Sequence, residues 1–434
     1  MELWRRWLVI PVEAYMKAVN AEQLFGTATG SAQKDWNKDE EGKAGLLHIA
    51  ALSFSKLSDG LLNPKLVLSW LLTALGAPAY IIGFLVPIRE AGALLPQAVL
   101  ARFIERLEMR RWVWVSGAVG QGLSALLIAL AALAFEGVTA GWVICGLLAC
   151  LAVSRAACSV SYKDILGKTV GQTRRGAVTG LAGSLAAAGV FCFALLMVGG
   201  VMKDEHAVIG AVGLAGALWL TSAATLAQLP EQPSSTESEA DTEGVWSILR
   251  RDRNLRRFIA VRGMLVSTAL APPYLVILAG QSEGTGLGQL GALLVASSAA
   301  SFLSSYIWGR MADSSSRRVL AVVGFLGAVS LSAAVFAGVS GYAEGRFVIP
   351  VILFALMLAY HGVRQARSTY LVDIAPEEQR AAYAAAANVV IGTILLLAGA
   401  MGGALSWIGP YGALVGFAVM SAAGGLLALG LKTP

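Results

Sequence analysis

Five charged residues stand inside apolar runs of this chain, and they are the ones that could do chemistry. Lys56 and Asp59 lie three apart in Phe54-Ser-Lys-Leu-Ser-Asp-Gly60, on one face of a helix. Arg89 and Glu90 are adjacent, and Arg262 stands 206 residues beyond Lys56. A charge near mid-bilayer costs at least about 2.5–3.5 kcal/mol, so such side chains normally face an aqueous cavity and pair with one another. Three cations against two carboxylates suit an anionic or zwitterionic solute. A carboxylate that proton and solute compete for is a sufficient coupling device, and Asp59, sharing a face with Lys56, is favoured over Glu90 as the carrier. Tyr80, Tyr274, Tyr306, Tyr360 and His361 could add polar or stacking contacts, although interfacial tyrosine is common. The plainer alternative is a structural Lys56–Asp59 pair, with Arg262 snorkelling from one turn inside the surface.

The elements that would position these residues follow from composition. Hydrophobic residues make up 56% of the 434 and charged residues 14%. Mean hydropathy is +0.68. A soluble domain carries roughly 25% charged residues, so this chain lacks the polar surface to dissolve in water. Apolar spans of about 20 residues cross a bilayer as helices. Twelve can be placed, at about 45–74, 77–101, 112–135, 138–160, 175–200, 206–228, 257–280, 286–308, 319–341, 347–366, 381–405 and 409–431. Asn63-Pro64 should kink the first.

The chain also repeats itself. Arg155-Ala-Ala-Cys-Ser-Val-Ser-Tyr-Lys-Asp164 closes the fourth run, and Arg364-Gln-Ala-Arg-Ser-Thr-Tyr-Leu-Val-Asp373, 209 residues on, closes the tenth. In both, Arg precedes Asp by nine residues, and Arg174-Arg175 or Arg380 opens the next run. Self-similarity at half the chain length points to two parallel repeats with a site between them. Gly176, Gly180, Ser184 and Ala188 in the fifth span, and Ala384, Asn388 and Gly392 in the eleventh, recur at four-residue spacing and should let those helices approach neighbours closely.

Loops after even-numbered spans are basic, with Arg102, Arg106, Arg110 and Arg111, then Lys163, Lys168, Arg174 and Arg175, then Arg310, Arg317 and Arg318. By the positive-inside rule both termini are expected in the cytoplasm, in a multi-pass protein of the cytoplasmic (inner) membrane. The net charge of +6 is then topological and implies no nucleic-acid partner. Residues 228–243 are rich in Pro, Ser and acids and read as a disordered linker, leading into a basic amphipathic segment, 246–257, expected to lie on the anionic leaflet. Trp4, Trp7, Leu8 and Tyr15 beside Arg5 and Arg6 suit an interfacial helix, with polar residues 27–43 as its tether. The division expected is 1–44 N-terminal segment, 45–228 first six-helix lobe, 229–256 linker, and 257–434 second lobe.

Cys145, Cys150, Cys158 and Cys192 all fall within spans and suit small apolar fillers. With three histidines and no P-loop, nucleophile elbow or dinucleotide fingerprint, neither a catalytic metal, a cofactor enzyme nor an ATP-driven pump is expected.

Gly309-Arg-Met-Ala-Asp-Ser-Ser-Ser-Arg-Arg318, between the eighth and ninth spans, resembles the loop motif of the major facilitator superfamily. Gly309, Asp313, Arg317 and Arg318 match, and Ser316 stands where the family has Gly. The equivalent first-half loop, 100–111, keeps the basic ending without the Gly and the Asp. The resemblance covers about residues 45–431. It implies an all-α membrane protein of twelve transmembrane helices in two six-helix pseudo-symmetric lobes, with helices one and seven lining a central cavity. It further implies a secondary transporter working by alternating access, here for a small anionic or zwitterionic solute with a proton as coupling ion, monomeric in the bilayer and without cofactor. Lys56, Arg89, Arg262, Tyr274, Tyr360 and His361 become substrate-binding candidates, and Asp59 and Glu90 proton carriers. Asp313 is placed to pair with Arg380 at the start of the eleventh helix. Arg155/Asp164 and Arg364/Asp373 would make similar contacts, completing a cytoplasmic gate with Gly309, Arg317 and Arg318. The fifth span lacks Pro and so the antiporter signature of the family's drug-efflux members. An exporter of a more apolar or lipid-like solute, and a non-transporting assembly or sensor protein of the same fold, are the alternatives.

The orientation is directly testable. On a cysteine-free background, single cysteines beside Arg110 and Ser315 should resist an impermeant thiol reagent in intact cells, and one beside His206 should label. Labelling at 315 from outside would overturn the assignment.

Overall fold

In a bilayer every backbone N–H and C=O must find a partner within the protein, and only helices do so span by span. The computed structural model describes residues 21–29, 38–201, 204–233, 245–280 and 287–432, and among them there is no strand. Eleven helical spans are long and apolar enough to cross a membrane, from Ala79–Glu105 to Pro410–Leu429. The first span falls outside that set because its longer piece, Lys38–Leu62, is rich in charges; Asn63-Pro64 divides it from Val67–Ala74. Proline removes a donor and clashes with the preceding turn, and here that ends the helix outright.

The seventh span breaks in the corresponding place. It consists of Arg253–Leu265, Ser267–Leu270 and Pro272–Gly280, and Pro272 stands 208 residues after Pro64. The second span is also segmented, as Ala79–Ile82, Leu85–Leu94 and Gln97–Glu105. The third, fifth, sixth, eleventh and twelfth spans run as expected: Arg111–Ala134, Arg175–Val198, Glu205–Ala227, Arg380–Leu405 and Pro410–Leu429.

Some boundaries differ from the sequence reading. The fourth span, Gly137–Thr169, and the tenth, Val348–Ile374, run eight or nine residues beyond their expected ends. Hydropathy stops at a charge, but a helix need not; Lys168 pairs with Asp164 one turn away at 2.8 Å and supports the extension. The eighth and ninth spans form Leu287–Val339, interrupted only at Ser315, whose backbone is extended. Its hydroxyl accepts from the Arg318 N–H at 3.3 Å.

The expected N-terminal tether is partly helical. Ala21–Thr29 is a helix, and the first span starts at Lys38 rather than 45. Phe25 is wholly buried with Ile49, Leu166, Val170 and Val178. Beside it Arg174, 1% exposed, donates to Glu22 and Glu41 at 3.2 Å. The interfacial helix expected around Trp4–Tyr15 lies outside the described residues, as do 234–244 of the linker. The basic segment after the linker is shorter than expected, Val245–Arg251. Ile248 and Leu249 are buried and the segment packs on the start of the eleventh span. Asp252 then caps the seventh span, accepting from the Asn254 and Leu255 amides at 2.7 and 3.1 Å.

Lipid supplies no hydrophobic drive between helices, so close backbone approach has to hold them. The third and sixth spans cross at Gly122 and Gly216, where an added Cβ at either would stand 2.9 Å from the other's carbonyl oxygen. The ninth and twelfth cross at Gly324 and Gly425, where a Cβ on Gly324 would stand 2.6 Å from the Gly425 Cα and N and one on Gly425 3.1 Å from the Ala321 carbonyl oxygen. Gly216 and Gly425 are one repeat spacing apart, while Gly122 and Gly324 lie two turns out of register. The stripe expected on the fifth span does not behave so, since Gly176 and Gly180 face open space while Gly189 meets Leu57.

Gly324→Ala tests this crossing. Its Cβ would lie 2.6 Å from the Gly425 Cα and N, and backbone cannot yield as a side chain can. The variant should lose about 1–3 kcal/mol of stability in detergent unfolding. Gly146→Ala, which meets nothing within 4 Å, should lose none. Equal stability of the two would remove the crossing as a determinant of packing.

Candidate functional site

The break in the first span creates the centre of the site. Asn63 O accepts from the Val67 and Leu68 amides at 2.9 and 3.1 Å, and Asn63 Oδ1 accepts from Lys65 N at 2.9 Å. The freed backbone is thus satisfied locally. This turn aims Lys65 inward. Its ammonium sits 3.3 Å from Glu90 Oε1 on the second span and 3.6 Å from the ring centroid of Tyr360 on the tenth. One buried cation therefore joins the two halves of the chain through an ion pair and a cation–π contact.

One helical turn below, Asp59 accepts from two guanidinium groups. Arg89 Nη2 donates at 2.6 Å to Asp59 Oδ1, and Arg155 Nη1 on the fourth span donates to Asp59 Oδ2. A bridging carboxylate satisfies both cations and fixes three spans together. Lys56 does not pair with Asp59. Its ammonium donates to the Thr179 carbonyl of the fifth span at 2.8 Å.

The second half contributes cations without carboxylates. Tyr360, Arg364 and Arg367 follow an i, i+4, i+7 stripe of the tenth span and, with Arg262 and Glu90, line a cavity of about 70 Å³. Arg262 is 6% exposed, and its Nη atoms reach Asn388 Oδ1 at 3.3 and 3.4 Å. Its Nε has no partner. Asn388 in turn faces Gln97 of the second span, 3.5 Å away. Among the described residues no carboxylate lies within ion-pair distance of Arg262, Arg364 or Arg367.

The sequence candidates therefore divide. Lys56, Asp59, Arg89, Glu90, Arg262 and Tyr360 gather in one region. His361 is half-buried beside Tyr360, with ring centroids 5.1 Å apart, and does not line the cavity. Tyr274 is elsewhere. It is 1% exposed against Phe417, in a notch left by Gly83 and Gly402.

The gate candidates divide too. Arg155 and Arg364 lie well inside their lengthened helices and join the centre, not the end of the bundle. Nine residues of helix rise about 13.5 Å, so Asp164 does reach the end, where it pairs with Arg110 at 2.9 Å and with Lys168. Asp373 is exposed. Arg380 is paired with Glu377 at 3.5 Å, Arg317 donates to the Leu431 carbonyl at 3.0 Å, and Arg318 is exposed. The Asp313 side chain lies outside the described ones, as does Gly309 beyond its backbone.

Four central residues escaped the sequence reading. Lys65 follows a proline break within a span, itself a sign of backbone lining a cavity. Arg367 is visible one turn beyond Arg364. Asn388 and Gln97 carry no signal beyond being polar in an apolar run. A buried carboxylate at the end of the first half was also missed. Glu231 accepts from the Arg110 and Arg111 amides at 3.1 and 2.8 Å, serving the anionic role at the third helix's N-terminus.

Removing Asp59 leaves two cations without their acceptor. Asp59→Asn should lower stability in detergent toward the lower end of about 3–5 kcal/mol, since Arg155 retains 39% side-chain exposure. Asp59→Asn with Arg155→Gln should recover part of that loss. A double variant as unstable as the sum of both singles would break the argument.

No family model and no curated protein matches the sequence. Solved structures do. A POT family transporter in complex with 5-aminolevulinic acid superposes with a TM-score of 0.68 at 12% identity, over 92% of this chain and 97% of that one. The nucleoside transporter NupG gives 0.65 at 12% identity, over 89% and 98%. A D-xylose-proton symporter gives 0.64 at 15% identity, over 90% and 98%. With the segmented first and seventh spans and the repeated glycine crossings, these likenesses over nearly whole chains show that this chain has the major facilitator fold.

Proposed function

We propose that the protein is a secondary transporter that moves a small anionic or zwitterionic organic solute by alternating access, coupled to protons. The observation that carries this reading is the cation-rich cluster around a cavity in the middle of a twelve-span bundle. Charges so placed are expensive unless they serve a pathway. A more apolar or lipid-like solute would have to sit against Glu90 and three arginines, which share the cavity lining with seven aliphatic side chains. The solved structures that share the fold include a POT family transporter and a D-xylose-proton symporter.

Packing between the halves supports alternating access. Away from the termini, Val67–Ala74 packs on Pro272–Gly280, Gly291 of the eighth span meets Met197 and Val198 of the fifth, and Tyr80 meets Trp407. Toward the termini, Lys38–Leu62 packs on the fifth and sixth spans and Arg253–Leu265 on the eleventh and twelfth, each within its own half, while the second and eleventh spans still meet at Gln97 and Asn388. The halves thus meet more fully on the face away from the termini. With basic loops cytoplasmic, the less closed side faces the cytoplasm. The lobes are residues 45–228 and 257–434, joined by the linker, and each works as one body in a monomer.

The proton carrier is Glu90 rather than Asp59, a choice supported by the partners of each carboxylate. Two guanidinium groups engage Asp59, and a proton there must displace both. Glu90 has one ammonium partner, is 38% exposed and lines the cavity. An arriving solute anion competes with Glu90 for the cations around the cavity, and a proton on the carboxylate so displaced restores the charge. Solute and proton then travel together.

In liposomes, the wild type should accumulate solute when a pH gradient is imposed. Glu90→Gln should abolish that accumulation and spare counterflow exchange, which needs no net proton movement. Accumulation by Glu90→Gln would place the proton elsewhere, and a wild type indifferent to the gradient would end the proton reading.

A further inference from the structure

The unpaired arginines say more about the solute than its sign. Seven cations converge here: Lys56, Lys65, Arg89, Arg155, Arg262, Arg364 and Arg367. The two carboxylates are already engaged, Asp59 by two guanidinium groups and Glu90 by Lys65. Three guanidinium groups thus share one cavity with a single carboxylate, Glu90, whose ion pair is to Lys65. Arg262 is the most constrained, more than nine-tenths buried, held only by an amide oxygen, with Nε unpartnered. A neutral amide is a weak acceptor for a buried guanidinium, and a carboxylate or phosphate oxygen pair fits its planar fork far better.

Resting on the transport reading above, we infer that the cavity takes a small organic solute carrying two negative charges. One negative charge lies between Arg262 and Arg367, displacing Asn388 from the guanidinium. The second meets Arg364, one turn along the same helix. A single negative charge leaves at least two of the three guanidinium groups uncompensated, and a zwitterion adds no net charge. Size is limited as well. The cavity of about 70 Å³ has room for roughly five water molecules, which suits a small organic solute. Dicarboxylates and phosphate monoesters of that size share the required chemistry.

Purified full-length protein in detergent should be melted with succinate, glycerol 3-phosphate, butyrate, alanine and inorganic phosphate. A ligand that binds the folded state raises the midpoint by mass action. At least one of the two organic dianions should bind ten times or more tighter than butyrate, alanine or inorganic phosphate. Its affinity should fall at least tenfold in Arg364→Gln and in Arg367→Gln, both monodisperse on gel filtration, and recover in part in Arg367→Lys. Preference for succinate identifies the carboxylate source, and preference for glycerol 3-phosphate the phosphate source. Equal or tighter binding of butyrate, alanine or inorganic phosphate overturns the proposal, as does unchanged affinity in the glutamine variants or stabilisation by no probe. Liposome uptake of the same probes separates the two readings. Proton-driven uptake of a neutral or zwitterionic solute would sink the dianion and keep the transporter, whereas absence of binding and of uptake for every solute tried would sink both.

Discussion

The cost of a bare charge away from water orders this structure more than any other constraint. It explains why Asp59 holds two arginines at once and why Lys65 is pinned between a carboxylate and an aromatic ring. It also explains why the remaining arginines gather where a cavity admits water. The ion pairs are structural in one sense, since they knit the first, second and fourth spans. They are permissive in another, because a site made of charges can exchange partners at small net cost. A cavity lined by hydrocarbon could bind, but it could not trade one anion for another.

Around that centre the packing is symmetric where geometry alone matters and asymmetric where chemistry does. The proline breaks at 64 and 272 and the glycine crossings of the third with the sixth span and the ninth with the twelfth recur in both halves. The carboxylates do not recur, for both belong to the first half, while the second offers three arginines with no carboxylate in ion-pair distance among the described residues. Two halves of like shape but unlike charge result. The first carries its own counter-ions; the second does not.

Much of this was legible in the sequence. Apolar length gave the spans, the repeated Arg–Asp spacing gave the two halves, and five of the central charges stood out because they interrupt apolar runs. Partnerships were not legible. Spacing on one helix suggested Lys56 with Asp59, whereas the bundle brings Arg89 and Arg155 to that carboxylate from other spans. Arg155 and Arg364 looked like helix ends because hydropathy falls there, and only the continuing helix shows them to be interior. Tyr274 could not be separated from Tyr360, since an aromatic in a span looks the same whether it faces a cavity or a glycine notch.

The ends of the linker are fastened on both sides. Glu231 is bound to the start of the third span, and Asp252 receives a hydrogen bond from Tyr383 of the eleventh at 3.0 Å. Only the eleven residues 234–244 lie between Pro233 and the helix that begins at Val245. Fully stretched, such a length reaches roughly 40 Å. The connection between the halves therefore has a fixed maximum length between its anchors on the third and eleventh spans. The two anchors cannot stand farther apart than that length allows, whatever the charges at the centre do.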